Sequence, residues 1–292
     1  MEVYTEMSKS TGLYHDDLQL LNNHIDFEPN NNRMKIYRLP YERITIETIK
    51  AFKNLGRKKR CEKLIFYVND YEKDMLTNDN NFVQEGFIAG FFQGDDAYVF
   101  AMFLDPNRNQ SIDKDEQHRV IDMVEQDKHI YLKRPLPAGY TMRHATVHDT
   151  SELAQLYDTI FETYPTPMNN AQYIENLMQD DVYFTIIEYH GQIVSASAAD
   201  IIPDFNSAEM TDCATLLEHR QKGLLSHQFS YLIELMRQKG VQTLFCYSRA
   251  VSLGMNLINI RNGFTYGGRM VQNSNIAGRL ECMNIWFKNI SV

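Results

Sequence analysis

The stretch His219-Arg220-Gln221-Lys222-Gly223-Leu224-Leu225 joins an apolar run, Cys213-Ala214-Thr215-Leu216-Leu217, to an amphipathic segment that ends at Lys239. These flanking patterns predict a strand before the stretch and a helix after it. The first backbone N–H groups of a helix have no partner within the helix, and the helix dipole is positive at that end. Gly223 lets a ligand approach the backbone closely, while Arg220 and Lys222 add positive charge. The stretch therefore predicts a cradle for a phosphate or pyrophosphate group.

Composition restricts the kinds of partner and compartment. The chain has 292 residues, of which 43% are hydrophobic, and a formal net charge of -9. This length favours two packed domains, and the negative charge argues against a general nucleic-acid surface. We find neither a signal peptide nor an apolar run long enough to span a membrane. The four cysteines are scattered without a Cys-x-x-Cys pair, so we expect no metal site, no disulfide framework and a reducing, cytoplasmic compartment.

The segment Lys133-Arg134-Pro135-Leu136-Pro137 is the strongest boundary signal, because prolines interrupt both helix and sheet. We therefore predict an N-terminal α/β domain over residues 1–134 and a second domain over residues 135–292. From Tyr140 onward, the periodicities and turn residues predict the order β-α-α-β-β-β-α-β-α-β-β.

Three features of the second domain resemble the GNAT superfamily of N-acetyltransferases. Its loop is similar to the superfamily pattern Q/R-x-x-G-x-G/A: Arg220 and Gly223 match, whereas Leu225 stands where a small residue is usual. The element order is that of the superfamily, and Asn262-Gly263-Phe264 resembles its junction of helix, Gly, Phe and strand. The resemblance implies an α/β (α+β) GNAT fold, in which helices flank a mixed, mostly antiparallel central sheet.

The resemblance also implies which residues bind acetyl-CoA as a co-substrate. The strands at residues 208–217 and 243–247 are expected to splay, so that backbone N–H groups face the thioester. Residues expected beside the acetyl and pantetheine groups are Cys213, Ala214 and Thr215. Residues expected at the pyrophosphate are Arg220, Gln221, Lys222, Gly223, Leu224 and Leu225. Asn256 and Asn259, one helical turn apart, are candidates for hydrogen bonds to the CoA amides.

Acyl transfer to an amine needs a base, because an alkyl ammonium has a pKa near ~10.4 and attacks only after it loses a proton. We assign Glu209 as the base and Asp212 as a substrate-binding or structural group, since a regular strand places them on opposite faces. The departing thiolate needs a general acid, and in the superfamily this is often a Tyr four residues before the junction Gly. This chain has Asn259 at that position. Tyr247 and Tyr266 are the remaining candidate acids, with a solvent proton as the alternative.

Segments of the N-terminal domain are similar to segments of the second. Residues 62–67 (Glu-Lys-Leu-Ile-Phe-Tyr) resemble residues 242–247 (Gln-Thr-Leu-Phe-Cys-Tyr), and Glu85-Gly86-Phe87 resembles Asn262-Gly263-Phe264. Two interpretations are open: the N-terminal domain is a degenerate GNAT half, or strand–helix–strand units look alike by chance. A degenerate half is not expected to bind CoA, because it has no Arg-x-x-Gly-x-Gly-like loop.

Several segments resemble the β-lysine N6-acetyltransferase family, namely residues 252–256, 262–268 and 281–286, together with residues 85–88 and 94–98. This resemblance implies that the acceptor is a small molecule, β-lysine, which is acetylated at its terminal amine. Candidate substrate-binding residues are Tyr164, Glu188, Asp212 and Arg249, with Arg269 as a second choice for the carboxylate. An acetyltransferase for another amine and a non-catalytic acyl-CoA-binding module are the alternatives, and a homodimer is left open.

Overall fold

The computed structural model describes residues 25–37 and 45–291, in which twelve strands form one continuous sheet. The first half contains β1 (Ile25–Glu28), β2 (Arg33–Ile36), α1 (Ile46–Lys58), β3 (Lys63–Val68), α2 (Asp70–Thr77), β4 (Val83–Phe92), β5 (Asp95–Phe103) and α3 (Lys114–Gln126). The second half contains β6 (Tyr140–His144), α4 (Thr150–Ile160), α5 (Ala171–Gln179), β7 (Val182–Tyr189), β8 (Gln192–Ile202), β9 (Ser207–Thr215), α6 (Leu224–Gln238), β10 (Thr243–Arg249), α7 (Leu253–Arg261), β11 (Thr265–Ile276) and β12 (Arg279–Asn289).

The strands lie in the order β1-β2-β3-β5-β4-β11-β12-β10-β9-β8-β7-β6. Among the described strands only β2–β3 and β9–β10 are parallel pairs. The second half therefore has the predicted element order and a mixed, mostly antiparallel sheet, which confirms the predicted fold class. Helix α6 connects β9 to β10 and buries Phe229, Leu232 and Met236 in one core cluster with residues of these strands. Each such side chain contributes about 1.5–3 kcal/mol when it is removed from water.

The first half repeats part of the second. The series β1-β2-α1-β3-α2-β4-β5 corresponds to β8-β9-α6-β10-α7-β11-β12, and the parallel pair has the same place in both. The turns before β2 and β9 also correspond. Each is a 3-10 turn that begins at a proline, Pro29 or Pro203, and ends at an asparagine with left-handed backbone, Asn32 or Asn206. The interpretation of the first half as a degenerate GNAT half stays a prediction, and these correspondences are the observations on which it rests.

One part of the predicted repeat is corrected. Gly86 does not correspond to the junction glycine, because it lies inside β4 and pairs with Gly268 of β11. The residue that follows α2 and is buried like Phe264 is Phe82. The predicted boundary between residues 134 and 135 stays a prediction, since β4 and β11 join both halves in one sheet.

The backbones of β4 and β11 approach very closely where the halves meet. A Cβ atom on Gly268 would lie 2.4 Å from the carbonyl oxygen of Glu85 and 2.6 Å from Cα of Gly86. Real Cβ atoms do not come so near to backbone atoms, so the pairing of the two halves depends on glycine at this position.

Three buried cations of the first half bind successive carbonyl groups of β11. Lys63 Nζ donates to the Val271 carbonyl at 2.8 Å, Arg108 Nε to that of Gln272 at 3.1 Å, and Arg33 Nη1 to that of Asn273 at 2.6 Å. The pairing of β11 with β12 is interrupted here, between Met270 and Ser274. These charge-assisted hydrogen bonds therefore fix the second part of β11 against the first half of the molecule.

Candidate active site

The parallel strands β9 and β10 separate after three residue pairs. Their register runs from Ser207–Thr243 to Glu209–Phe245 and then stops, although β9 continues to Thr215 and β10 to Arg249. The second part of β9 is thus free of β10, as the predicted splay requires. A cavity of about 1190 Å³ opens at this separation, and Cys213, Ala214 and Thr215 line it.

Helix α6 begins at the same cavity. Its N-cap residue, Gly223, has a φ of 75°, and no side chain in the described part of the chain caps the helix. The first backbone N–H groups are therefore available to an anion such as a pyrophosphate. Arg220 is anchored at the rim, because its Nε donates to the Thr215 carbonyl at 3.1 Å. Five of the six loop residues expected at the pyrophosphate line the cavity, namely Arg220, Gln221, Gly223, Leu224 and Leu225.

Three residues expected to bind CoA lie elsewhere. Lys222 is exposed, and its Nζ donates to the Glu218 carbonyl instead of contributing to the cavity wall. Asn256 and Asn259 are completely buried in the core. Asn256 Oδ1 accepts from Trp286 Nε1 at 2.8 Å, and Asn259 Nδ2 donates to Ser248 Oγ at 2.8 Å. Both asparagines satisfy buried polar groups of β10 and β12, so their side chains face the core and not the cavity.

Two neighbouring carboxyl groups lie on the wall near the point where the strands separate. Asp200 of β8 pairs directly with Glu209 of β9, and both line the cavity. Burial raises the pKa of Glu209 to about 7, although the charge of Lys35 opposes this shift. Burial and the nearby Asp212 raise the pKa of Asp200 to about 7. Each group can therefore gain or lose a proton near neutral pH.

The expected opposite placement of Glu209 and Asp212 is corrected by a β-bulge. The register of β9 with β8 shifts between Ala196 and Ala198, and Asp212 has a left-handed backbone with a φ of 51°. The extra residue breaks the alternation of faces, and both carboxyl groups line the cavity. Burial raises the pKa of Asp212 to about 7, an effect opposed by the Tyr164 hydroxyl, which donates to its Oδ1 at 3.1 Å. Tyr164, expected at the substrate, also lines the cavity.

The two candidate acids are placed differently. Tyr247 lines the cavity, and its hydroxyl oxygen lies 2.6 Å from that of Tyr67 in the first half. Burial raises the pKa of Tyr247 well above its usual range, so the phenol stays protonated. Tyr266 contacts the Trp286 ring at a centroid distance of 5.5 Å and takes no part in the cavity wall.

Of the remaining candidate substrate-binding residues, one lines the cavity and two do not. Glu188 does not reach the cavity, because Arg143 on the neighbouring strand binds its carboxylate at 2.6 Å. Arg249 lines the cavity, and its Nη2 lies 2.9 Å from Glu281 Oε1. The buried Nε of Arg249 has no hydrogen-bond partner among the described residues. Arg269 is used within the structure, since its Nε donates to Asn284 Oδ1 at 2.9 Å.

One wall of the cavity comes from the first half and was not predicted from the sequence. It is formed by Asp26, Glu28, Arg33 and Lys35. Lys35 Nζ lies 2.6 Å from Glu28 Oε1 and 3.6 Å from Asp26 Oδ2.

The internal repeat is the sequence signal that leads to these residues. Lys35 stands three residues after the turn asparagine of the first half, as Glu209 does in the second. Asp26 stands three residues before the turn proline, as Asp200 does. The first half therefore has a carboxyl group and an ammonium group where the second half has two carboxyl groups.

A splayed parallel strand pair that leads into an uncapped, glycine-initiated helix, with carboxyl groups beside it, is the arrangement that the GNAT resemblance implies for an acetyl-CoA-dependent N-acetyltransferase. Residues 150–261 match the profile of the acetyltransferase (GNAT) family. The chain is 31% identical over 266 residues to N-acetyltransferase YodP of Bacillus subtilis, a similarity that covers 91% of this chain and 95% of that protein.

Two archaeal proteins show a similar degree of likeness. The chain is 29% identical to the β-lysine N(6)-acetyltransferase of Methanococcus maripaludis, with 87% of this chain and 92% of that protein covered. It is also 29% identical to the β-lysine N(6)-acetyltransferase of Methanosarcina mazei, with 81% and 94% covered. The chain therefore belongs to the GNAT acetyltransferase family, and its acetyl donor is acetyl-CoA.

None of the helices within residues 25–37 and 45–291 is both long and apolar enough to cross a membrane. The same residues include no group of three or more His, Cys, Asp or Glu side chains that could hold a metal ion.

Proposed function

We propose that this N-acetyltransferase transfers the acetyl group of acetyl-CoA to the terminal amine of β-lysine and forms N6-acetyl-β-lysine. The observation that carries the proposal is a set of carboxyl groups beside the strand separation, the half-buried Asp200 and Glu209 and the buried Asp212. An acidic wall suits a cationic amine that must lose a proton. β-Lysine has two ammonium groups and one carboxylate, and the cavity is also lined by the cations Lys35 and Arg249. The names of the two archaeal relatives support the same acceptor.

Glu209 is the proposed base. The acceptor ammonium has a pKa near ~10.4, and a carboxylate whose pKa is about 7 takes its proton more readily than one at 4.5. That difference lowers the cost of proton transfer by about 3 kcal/mol. The free amine then forms the N–C bond to the acetyl carbon in a ternary complex, and the C–S bond breaks. Backbone N–H groups in the second part of β9 are the proposed donors to the acetyl oxygen.

Tyr247 is the proposed proton donor to the departing sulfur. Its raised pKa keeps the hydroxyl protonated at neutral pH. The acceptor nitrogen loses a second proton as the amide forms, and this proton can restore Tyr247 through solvent and the Tyr67 hydroxyl, which lies 2.6 Å away. Asn259, at the position where the superfamily often has its acid, has no ionisable proton and is buried against Ser248.

A thiol-release assay with acetyl-CoA and a small panel of amines tests the acceptor. The panel consists of β-lysine, α-lysine, spermidine and a lysine-containing peptide. We expect the highest kcat/KM for β-lysine. A preference for another amine would keep the acetyltransferase chemistry and discard β-lysine as the acceptor. Tight CoA binding without turnover of any amine would favour the binding-module alternative.

The base assignment has a matched control. Glu209→Gln is expected to lower kcat by about 100-fold or more, as is typical when a general base is removed. Glu188→Gln makes the same chemical change at a carboxylate outside the cavity and should leave kcat within about twofold of the wild type. Equal turnover by the Glu209 variant and the wild type would remove Glu209 from the mechanism.

A further inference from the structure

We propose that the first half of the sheet binds the head group of the amino-acid acceptor, with Lys35 at its carboxylate and Asp26 at its second ammonium group. This inference rests on the proposed function and adds the residues that select the substrate. It assigns a binding role to a half of the molecule that has no recognisable CoA loop of its own.

Strand alternation shows that this wall faces the cavity. In β2, Met34 and Ile36 are buried in the core of the first half, so Arg33 and Lys35 lie on the opposite face. In β9, Ala208 and Met210 pack into the core cluster that contains α6, so Glu209 lies on the opposite face. These two outer faces line the same cavity.

Direct contacts hold the two walls at a fixed separation. The hydroxyl oxygens of Tyr67 and Tyr247, one from each half, are 2.6 Å apart. The rings of Phe91 and Phe245 also pack across the halves, with a centroid distance of 5.2 Å. A ligand that is bound at Lys35 is therefore held in a defined position relative to Glu209.

The two walls differ in charge in the way that an asymmetric diamino acid requires. The two walls have cross-strand pairs of charged residues at equivalent positions, Asp200 with Glu209 in the second half and Asp26 with Lys35 in the first. The first half also pairs Glu28 with Arg33. Two acids suit the single ammonium group that reacts. The adjacent carboxylate of Asp26 and ammonium of Lys35 suit a head group in which an ammonium and a carboxylate lie close together.

Lys35 is the cation of this wall that retains capacity for a ligand. Arg33 is occupied by Glu28 and by the carbonyl of Asn273. The Lys35 ammonium has three N–H donors, of which Glu28 at 2.6 Å takes one and Asp26 at 3.6 Å is more distant. The Lys35 side chain is only 9% exposed, so its attraction for a carboxylate is weakly screened. The Asp26 side chain is 48% exposed and can accept hydrogen bonds from an ammonium.

Two analogues of β-lysine test the assignment one group at a time. 1,4-Diaminopentane lacks only the carboxylate, and 6-aminohexanoate lacks only the second amine. In Lys35→Met, kcat/KM is expected to fall about tenfold or more for β-lysine and by less than about threefold for 1,4-diaminopentane. In Asp26→Asn, kcat/KM is expected to fall several-fold for β-lysine but little for 6-aminohexanoate. The ratio of the kcat/KM values of one variant for two substrates does not depend on the ionised fraction of Glu209 or on the folded fraction of the enzyme.

The control is Lys73→Met, which removes a lysine that pairs with Asp70 on α2, outside the cavity wall, and should leave every ratio unchanged. Equal losses for β-lysine and 1,4-diaminopentane in Lys35→Met would overturn the inference, because Lys35 would then act through the base or the fold. If the ratio of kcat/KM for β-lysine to that for 1,4-diaminopentane changed only in Arg249→Met, Arg249 would be the residue that binds the carboxylate, and the inference would be overturned. If the wild type acetylates β-lysine but the kcat/KM ratios are unchanged in the variants, this inference alone is wrong. If the wild type acetylates none of the amines, the proposed function is wrong as well.

Discussion

Glu209 is the residue from which the clearest pH dependence is expected. Its pKa is about 7, so the fraction of carboxylate grows as the pH rises through neutrality. We predict that kcat/KM increases about tenfold per pH unit below pH ~6.5 and levels off above pH ~8, as measured by thiol release across that range. Glu209→Gln should lack this rise. A rise that persists in the variant would assign it to Asp200 or Asp212, whose pKa values are also about 7.

The same carboxyl group makes the folded protein less stable at high pH. A raised folded-state pKa means that the folded chain binds more protons than the unfolded chain between pH 4.5 and about 7. The free energy of unfolding therefore falls as the pH rises through that window. We predict that Glu209→Gln raises the free energy of unfolding by about 1–3 kcal/mol at pH 8 and has little effect at pH 4. Urea denaturation at both pH values measures this, and equal stability at pH 8 would contradict the burial argument.

Helix α6 shows how one element creates a binding site through its first residue. Gly223 has a φ of 75°, and a Cβ atom built on it would meet nothing within 4 Å, so the added methyl group would project into open space at the cavity. We predict that Gly223→Ala raises KM for acetyl-CoA several-fold and costs about 1–2 kcal/mol in backbone strain. Steady-state kinetics and thermal denaturation measure the two effects.

Gly191 provides the matched control, because its φ of 82° and open surroundings are nearly the same but it lies in the turn between β7 and β8. Gly191→Ala should cost a similar free energy of unfolding, about 1–2 kcal/mol, and leave KM for acetyl-CoA unchanged. Equal increases in KM for both variants would mean that strain, and not the anion site, sets the affinity.

Strand β9 shows the limit of reasoning from one element. Alternation correctly places Glu209 opposite the buried Ala208 and Met210. It fails three residues later, because the bulge at Asp212 depends on how β8 pairs with β9. Nothing in the local sequence distinguishes a regular strand from a bulged one here, since the partner strand supplies the register.

At the scale of the whole molecule, the close pairing of β4 with β11 should make the two halves unfold together. We predict that Gly268→Ala lowers the free energy of unfolding by about 2 kcal/mol or more, because its Cβ atom would lie 2.4 Å from the Glu85 carbonyl oxygen. Fluorescence of Trp286, the single tryptophan, follows the second half, and far-UV circular dichroism follows both halves. In the wild type the two transitions should coincide in urea.

Gly254→Ala is the control for this prediction, since Gly254 lies in α7 with open space around its Cβ position. Alanine favours a helix, so this variant should be as stable as the wild type or more stable. Separate transitions in the wild type would show that the halves unfold independently and would support the predicted boundary after residue 134.

The sequence by itself determined the local features of this protein. Periodicity predicted the order of strands and helices in the second half, and the loop from Arg220 to Leu225 predicted an anion site, because both depend on residues close together in the chain. Only the tertiary structure decided what faces the cavity. Asn256 and Asn259 turn inward because β10 and β12 present polar groups that they satisfy. Lys35 joins Glu209 at one cavity because the continuous sheet brings both halves of the chain to that cavity, a long-range arrangement that no short segment encodes.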